Sequence, residues 1–273
     1  MASHGAERTP HNVPKVATVD AALIGAQRSG TTTLASLLSA HPQIAMAEGK
    51  EAHLFDQREV QEHGPSQEQL AQFFSHATDG QLRMDATPIY LYLDGCLEAL
   101  HRHNPKMRII AVLRDPAERA RSHHQLEWER GLEQQSFASA LRAESDRLKV
   151  DPDPFAPHSA RRIASYADRG RYAGQIERCR SWFPDALFLR FDELLTAPAT
   201  TLERICDHLG VDPEFSFPPL TQLNATGRHE GGSLAERWLR RRLRTDMTAA
   251  EQLLGWPNGS LRRARSSATR SRG

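Results

Sequence analysis

Ala21-Ala-Leu-Ile-Gly-Ala-Gln-Arg-Ser-Gly-Thr-Thr-Thr-Leu-Ala-Ser-Leu-Leu38 is the stretch whose reading decides the fold. Its apolar start, Ala21 to Ile24, reads as a buried parallel strand, and Leu34, Leu37 and Leu38 recur as the inner face of a helix. Between them, Gly25 to Thr32 forms a glycine-framed turn followed by hydroxyls. A strand, a tight turn and a helix N-terminus converge free backbone N–H groups and the positive end of a helix dipole on one spot. That geometry predicts a bound anion.

The loop also restricts which anion. The nucleoside-triphosphatase pattern G-x-x-x-x-G-K-[ST] needs lysine after its second glycine. Here Gly25 and Gly30 keep the spacing and Thr32 fills the last place, but Thr31 stands where the lysine belongs and the cation lies within the loop, as Arg28. Such a site suits a phosphate or sulfo group better than ATP with magnesium.

Outward from this loop, Gln43–Ala47, Leu82–Asp85, Met107–Leu113 and Ala186–Arg190 read as further strands. The run Met107-Arg-Ile-Ile-Ala-Val-Leu113 is apolar enough for burial on both faces of a parallel sheet. Helices are expected over 66–76, 91–103, 116–128, 137–148, 163–183, 198–209 and 234–254. Asp115 is placed to cap the third and Pro116 to occupy its first position. Alternating strands and helices predict one α/β domain, a central parallel sheet flanked by helices, with a P-loop-like anion loop. Its expected span is 18–257, between a flexible N-terminus, 1–17, and a basic, disordered tail, 258–273.

A second anion site is expected at Arg114-Asp-Pro-x-Glu-Arg-x-x-Ser122. Arg114 leaves the C-terminal end of a central strand, and Ser122 follows two helical turns on. An arginine fork and a hydroxyl suit phosphate. A molecule with phosphate at both ends would explain both sites. Lys50-Glu-Ala-His-Leu-Phe-Asp56 places Glu51 and His53 on one side of an extended segment, a carboxylate and an imidazole either of which could act as a base.

Taken in order, Gln27-Arg-Ser-Gly-Thr-Thr32, Lys50-Glu51, Arg114…Ser122 and Thr226-Gly-Arg228 resemble sulfotransferases that use 3′-phosphoadenosine 5′-phosphosulfate (PAPS). The likeness is to the branch of heparan-sulfate-type N- and O-sulfotransferases and their bacterial relatives, and it runs from about Ala21 to Leu254. It implies that Arg28, Ser29, Gly30, Thr31 and Thr32 bind the 5′-phosphosulfate end, and that Arg114, Ser122, Gly227 and Arg228 hold the 3′-phosphate. It makes Glu51 the base, with His53 second choice, and Arg28 the group that steadies developing charge. It implies a hydroxyl, or an amine, of a glycan, glycosylated natural product or other small molecule as acceptor, with loops around 59–65 and 151–162 forming its pocket. Tyr172 resembles a residue that lines the site or packs in the core.

Two departures stand out. Arg28 replaces a family lysine and keeps charge without being a proton donor, and Ala86 replaces another lysine before Thr87-Pro88, where Asp85 either faces the acceptor or caps the turn. A P-loop small-molecule kinase and a non-catalytic nucleotide-binding protein are the alternatives.

Composition excludes other classes. The formal net charge is +1 over 273 residues, which does not favour nucleic acid; five arginines in the last sixteen residues leave the remainder near −4. Cys96, Cys179 and Cys206 form no pair pattern, and thirteen histidines fall in no metal-ligand spacing, so no metal is expected. No run approaches the ~20 apolar residues of a membrane span. The first fifteen residues read as neither leader nor anchor. A soluble, cytoplasmic protein with no membrane span is the expectation.

Overall fold

The computed structural model describes residues 18–49, 51–219 and 233–262. Its elements run β1 (Ala21–Gly25), α1 (Thr31–Leu38), β2 (Ile44–Met46), α2 (Arg58–His63), α3 (Gln67–Phe74), β3 (Leu82–Asp85), α4 (Cys96–His103), β4 (Arg108–Leu113), α5 (Pro116–Glu129), α6 (Phe137–Lys149), α7 (Ala160–Ile163), a 3-10 turn (Asp168–Gly170), α8 (Tyr172–Trp182), β5 (Leu187–Arg190), α9 (Phe191–Thr196), α10 (Pro198–Leu209), α11 (Leu234–Arg242) and α12 (Arg244–Leu254).

The five strands form one parallel sheet in the order β2-β3-β1-β4-β5. Period-two alternation divides the side chains of the central strands between two cores. Ala22, Ile24, Ile109, Ala111 and Leu113 pack on one face with residues of α4, α8 and α12. Ala21, Leu23, Ile110 and Val112 pack on the other with Leu34 and Leu38 of α1 and Ile205 of α10. Each fully buried Leu or Ile contributes roughly 1.5–3 kcal/mol, so both faces of β1 and β4 must stay apolar. The predicted single α/β domain with flanked parallel sheet is what the chain forms.

Three expected helices differ, each because tertiary contacts take up the backbone. The helix expected from Leu91 begins only at Cys96. The residues before it cover β1 instead: Leu91 N–H donates to the Ile24 carbonyl at 3.0 Å, and Gly95, at φ 79°, resets the chain into α4. The helix expected over 163–183 breaks into α7, the 3-10 turn and α8. There the buried Glu144 carboxylate accepts the N–H groups of Ala167 at 2.8 Å and Asp168 at 2.7 Å. Arg169 meanwhile donates to the carbonyls of Arg161 at 2.6 Å and Arg162 at 3.1 Å. The helix expected over 234–254 turns at buried Leu243 into α11 and α12. This turn brings Asp246 onto the Tyr172 N–H at 2.7 Å, capping α8.

Past α12, Glu251 accepts from the N–H groups of Gly259 at 2.7 Å and Leu261 at 2.8 Å. Leu261 is buried in the core, so packing continues beyond residue 257. Among the described residues, no helix is long and apolar enough to cross a membrane.

Candidate active site

In a parallel sheet every strand points the same way, so the loops after β1, β3 and β4 emerge together at the C-terminal edge. Gly25 closes β1 where nothing larger fits: a Cβ there would lie 2.8 Å from the Leu91 Cβ and 3.3 Å from the Pro88 carbonyl oxygen. The loop turns through Ser29 N–H to the Ala26 carbonyl at 3.1 Å, with Arg28 at φ 69°. Gly30, at φ 83°, leads into α1, whose N-terminus carries no side-chain cap among the described residues. Its first-turn amides and the threonine hydroxyls of α1 stand at the place where the sequence predicts a bound anion.

Arg28 Nε donates to Ser122 Oγ at 2.9 Å, and the Arg28 carbonyl accepts from Arg114 at 3.3 Å. The two predicted anion motifs therefore meet, ninety-four residues apart in sequence. Arg114 also pairs with Glu118 at 3.1 Å and lies over the Phe191 ring at 4.9 Å. Burial, then the neighbouring Arg114 charge, lowers the Arg28 pKa. A guanidinium starts so high that it keeps its proton at neutral pH. The corner holds two guanidiniums, one of them paired with Glu118, beside a hydroxyl, a donor set that suits a phosphate or sulfate group.

Asp115 fixes this corner. Its carboxylate accepts from Ala117 N–H at 2.9 Å and Glu118 N–H at 3.0 Å, capping α5, and from Arg240 at 2.7 Å. Tyr172 is fully buried, its hydroxyl donating to the Arg114 carbonyl at 3.0 Å, so it packs in the core and fixes the arginine's backbone. Ser29 is also fully buried, and its hydroxyl has no hydrogen-bond partner among the described residues. Gly227 and Arg228 lie outside the described residues, as does Lys50.

On the other side of the cleft, His53 stands between two carboxylates. Its Nε2 lies 3.2 Å from Glu51 and its Nδ1 2.8 Å from Asp56. Asp56 is buried and also accepts from Arg162 at 2.6 Å. Burial alone would lower the His53 pKa; hydrogen bonds to Asp56 and Glu51 overcome it and raise the value to about 9. The ring is thus an imidazolium at neutral pH, donating through both nitrogens. An already protonated ring is no base. Of the two candidate bases, only the Glu51 carboxylate, which lies against the His53 ring, is a proton acceptor in this arrangement.

The segment carrying Glu51 is anchored from below. Asp85, fully buried, accepts from Thr87 Oγ1 and the Tyr90 hydroxyl, each at 2.7 Å, and from Ala52 N–H at 3.4 Å. The Tyr90 hydroxyl accepts in turn from Leu54 N–H at 3.0 Å. Thr87 Oγ1 accepts from His53 N–H at 3.3 Å. Desolvation raises the Asp85 pKa, opposed by these donors. Asp85 and Thr87 are buried supports and do not face an acceptor.

One cleft of about 1090 Å³ joins both halves. Small-molecule pockets run from roughly 300 to 1,000 Å³, so the cleft is large enough for a small-molecule ligand. Of the two loops expected to line it, 151–162 does so through Asp153, Phe155 and Arg162. The 59–65 loop does not; Gln57 and Arg58, at the start of α2, take its place. Asp56 and Arg162 escaped the sequence reading. Asp56 sits at i+3 from His53, a weak signal, but its arginine is 106 residues away and carried none. Among the described residues, no cluster of three or more His, Cys, Asp or Glu is placed to hold a metal ion.

Known proteins resemble this chain. The family model for the sulfotransferase domain matches residues 19–222. Heparan sulfate glucosamine 3-O-sulfotransferase 6 of Homo sapiens is 29% identical over 223 residues, 78% of this chain and 60% of that protein. Heparan sulfate glucosamine 3-O-sulfotransferase 5 of Mus musculus is 24% identical over 198 residues, 72% of this chain and 54% of that protein. The chain thus spans between half and two thirds of the curated relatives' length. A crystal structure of a sulfotransferase from Alicyclobacillus acidocaldarius has the same fold, with a TM-score of 0.74, 24% identity, and coverage of 91% of this chain and all of that one. With the anion loop, the arginine–serine corner and the carboxylate-bearing segment all inside the matched region, the chain belongs to the sulfotransferase domain family.

Proposed function

We propose that this protein transfers a sulfo group from 3′-phosphoadenosine 5′-phosphosulfate to a hydroxyl of a glycan, glycosylated compound or other small molecule. The observation that carries the reading is the placement of Arg28, Ser122 and Arg114 in one corner of a single cleft, facing Glu51, His53 and Asp56. The α1 N-terminus with Thr31 and Thr32 receives the 5′-phosphosulfate end; Arg114 and Ser122 hold the 3′-phosphate. Glu51 accepts the acceptor proton as the acceptor oxygen bonds to sulfur. The bond from sulfur to the 5′-phosphate oxygen breaks, and Arg28 and the helix dipole stabilise the charge left there. His53, held by Asp56 and Arg162, keeps Glu51 in place. The names of the curated relatives favour a sugar hydroxyl.

The test is Glu51→Gln. Loss of a general base costs about 10²–10⁴-fold in turnover, so transfer of radiolabelled sulfo group should fall by that factor while adenosine 3′,5′-bisphosphate binds as in the wild type. Unchanged turnover would remove Glu51 from the chemistry.

A further inference from the structure

The outer half of the cleft carries charge and apolar surface in a pattern that bears on the acceptor, given the sulfo-transfer reading above. Besides Arg28 and Arg114, three arginines line it, and each has its own carboxylate. Arg58 meets Asp153 at 2.8 Å, Arg130 meets Glu127 at 3.3 Å, and Arg162 meets Asp56 at 2.6 Å. Glu51 is balanced by the His53 imidazolium. Arg114 is paired as well, with Glu118 at 3.1 Å, so among the described residues lining the cleft the positive charge with no carboxylate partner is that of Arg28, in the nucleotide corner. The described residues on the acceptor side offer a polyanion no net positive field.

The surface between these pairs is apolar. Phe155, Pro157 and Ile163, from the segment that ends in α7, and Leu126 and Leu132, within α5 and just past it, line the cleft. Leu132 is 46% exposed and Phe155 is half-buried, its ring beneath the Arg58 guanidinium at 5.0 Å. The Phe155 carbonyl accepts from Arg162 Nε at 3.2 Å, and Arg162 holds Asp56, so the Phe155 segment is tied to the Glu51 side. Apolar side chains left open beside a base need an apolar partner to cover them.

We propose that the acceptor is a neutral hydroxyl compound with an aryl or alkyl portion, such as an aryl glycoside, whose apolar part lies between Phe155 and Leu132. The hydroxyl is presented to Glu51, and the paired arginines contribute orientation without attracting anionic chains.

Calorimetric titrations on protein saturated with adenosine 3′,5′-bisphosphate decide this, using phenyl β-D-glucopyranoside and a heparan sulfate hexasaccharide at about 50 and 300 mM salt, where screening lengths differ by a factor of about 2.4. The phenyl glucoside should bind, its dissociation constant changing less than about twofold with salt. Phe155→Ala and Leu132→Ala should each weaken it about five- to tenfold, by loss of buried apolar area. Leu132 is exposed enough for truncation to leave the fold intact. Tighter, salt-sensitive binding of the hexasaccharide would overturn the inference, as would no binding of the phenyl glucoside or no effect of either variant. The bisphosphate titration itself separates the two readings: if it binds and the glucoside does not, only the acceptor inference falls. If it does not bind, the nucleotide site falls and the acceptor inference with it.

Discussion

Tyr90→Phe isolates one hydroxyl at the base of the proposed catalytic segment. The ring is fully buried and meets Phe55 edge-on at 5.9 Å, and phenylalanine preserves that packing. Lost are the 2.7 Å bond to Asp85 and the acceptor for the N–H groups of Leu54 at 3.0 Å and Phe55 at 3.3 Å. Leaving a buried donor unsatisfied costs about 1–3 kcal/mol, and a bond to a charged partner is worth about 1.5–3 kcal/mol. These terms overlap, so we expect a loss of about 3 kcal/mol rather than their sum. For a chain of this size that lowers Tm by roughly 6–12 °C. Because Ala52 and His53 keep their own anchors on Asp85 and Thr87, the segment should loosen without melting. Turnover should drop about tenfold, a misplacement of the base of less than an ångström, with bisphosphate affinity unchanged. Urea denaturation and single-turnover sulfo transfer on the same preparation provide both numbers. A loss below about 1 kcal/mol with normal turnover would refute the view that the Asp85–Tyr90 hub positions Glu51.

Two other outcomes follow from the same geometry. The His53 pKa is raised by its carboxylates from 6.5 to about 9, so its contribution to stability is complete below pH 6.5 and is lost as pH rises through 9. A pH–rate profile should show an alkaline limb near 9 that is absent in His53→Gln; an identical limb in that variant would assign it to another group. Gly25→Ala forces a Cβ within 3 Å of Leu91, an overpacking cost of about 1–3 kcal/mol. Displacement of the loop should weaken bisphosphate binding as well, and a variant with wild-type Tm and affinity would show that the close approach is not needed.

What the sequence disclosed depended on whether the information was local. The β1–loop–α1 unit, the Asp115 cap and the continuous apolar run of β4 are written in neighbouring residues, and each formed where expected. The unbroken helix expected over 163–183 did not form, because Glu144 and Arg169 claim its backbone groups from other parts of the chain. The candidate site divided in the same way. Glu51, His53, Arg114 and Ser122 lie in motifs whose spacing has a chemical meaning. Asp56 and Arg162 become visible only when the fold closes 106 residues of chain, and the placement of His53 between two carboxylates is likewise seen only in the distances. Asp85 and Thr87 could not be assigned until their burial was seen.

The most direct test of the central claim is a calorimetric titration of adenosine 3′,5′-bisphosphate in the presence of a metal chelator, set beside ATP with magnesium, on the wild type and on Ser122→Ala. We predict one-to-one binding of the bisphosphate, weakened about tenfold by the loss of one charge-assisted hydrogen bond in the variant, and weaker binding of ATP with magnesium. Preferential binding of ATP with magnesium, or bisphosphate affinity indifferent to Ser122, would contradict the assignment of this cleft to a 3′,5′-bisphosphorylated nucleotide.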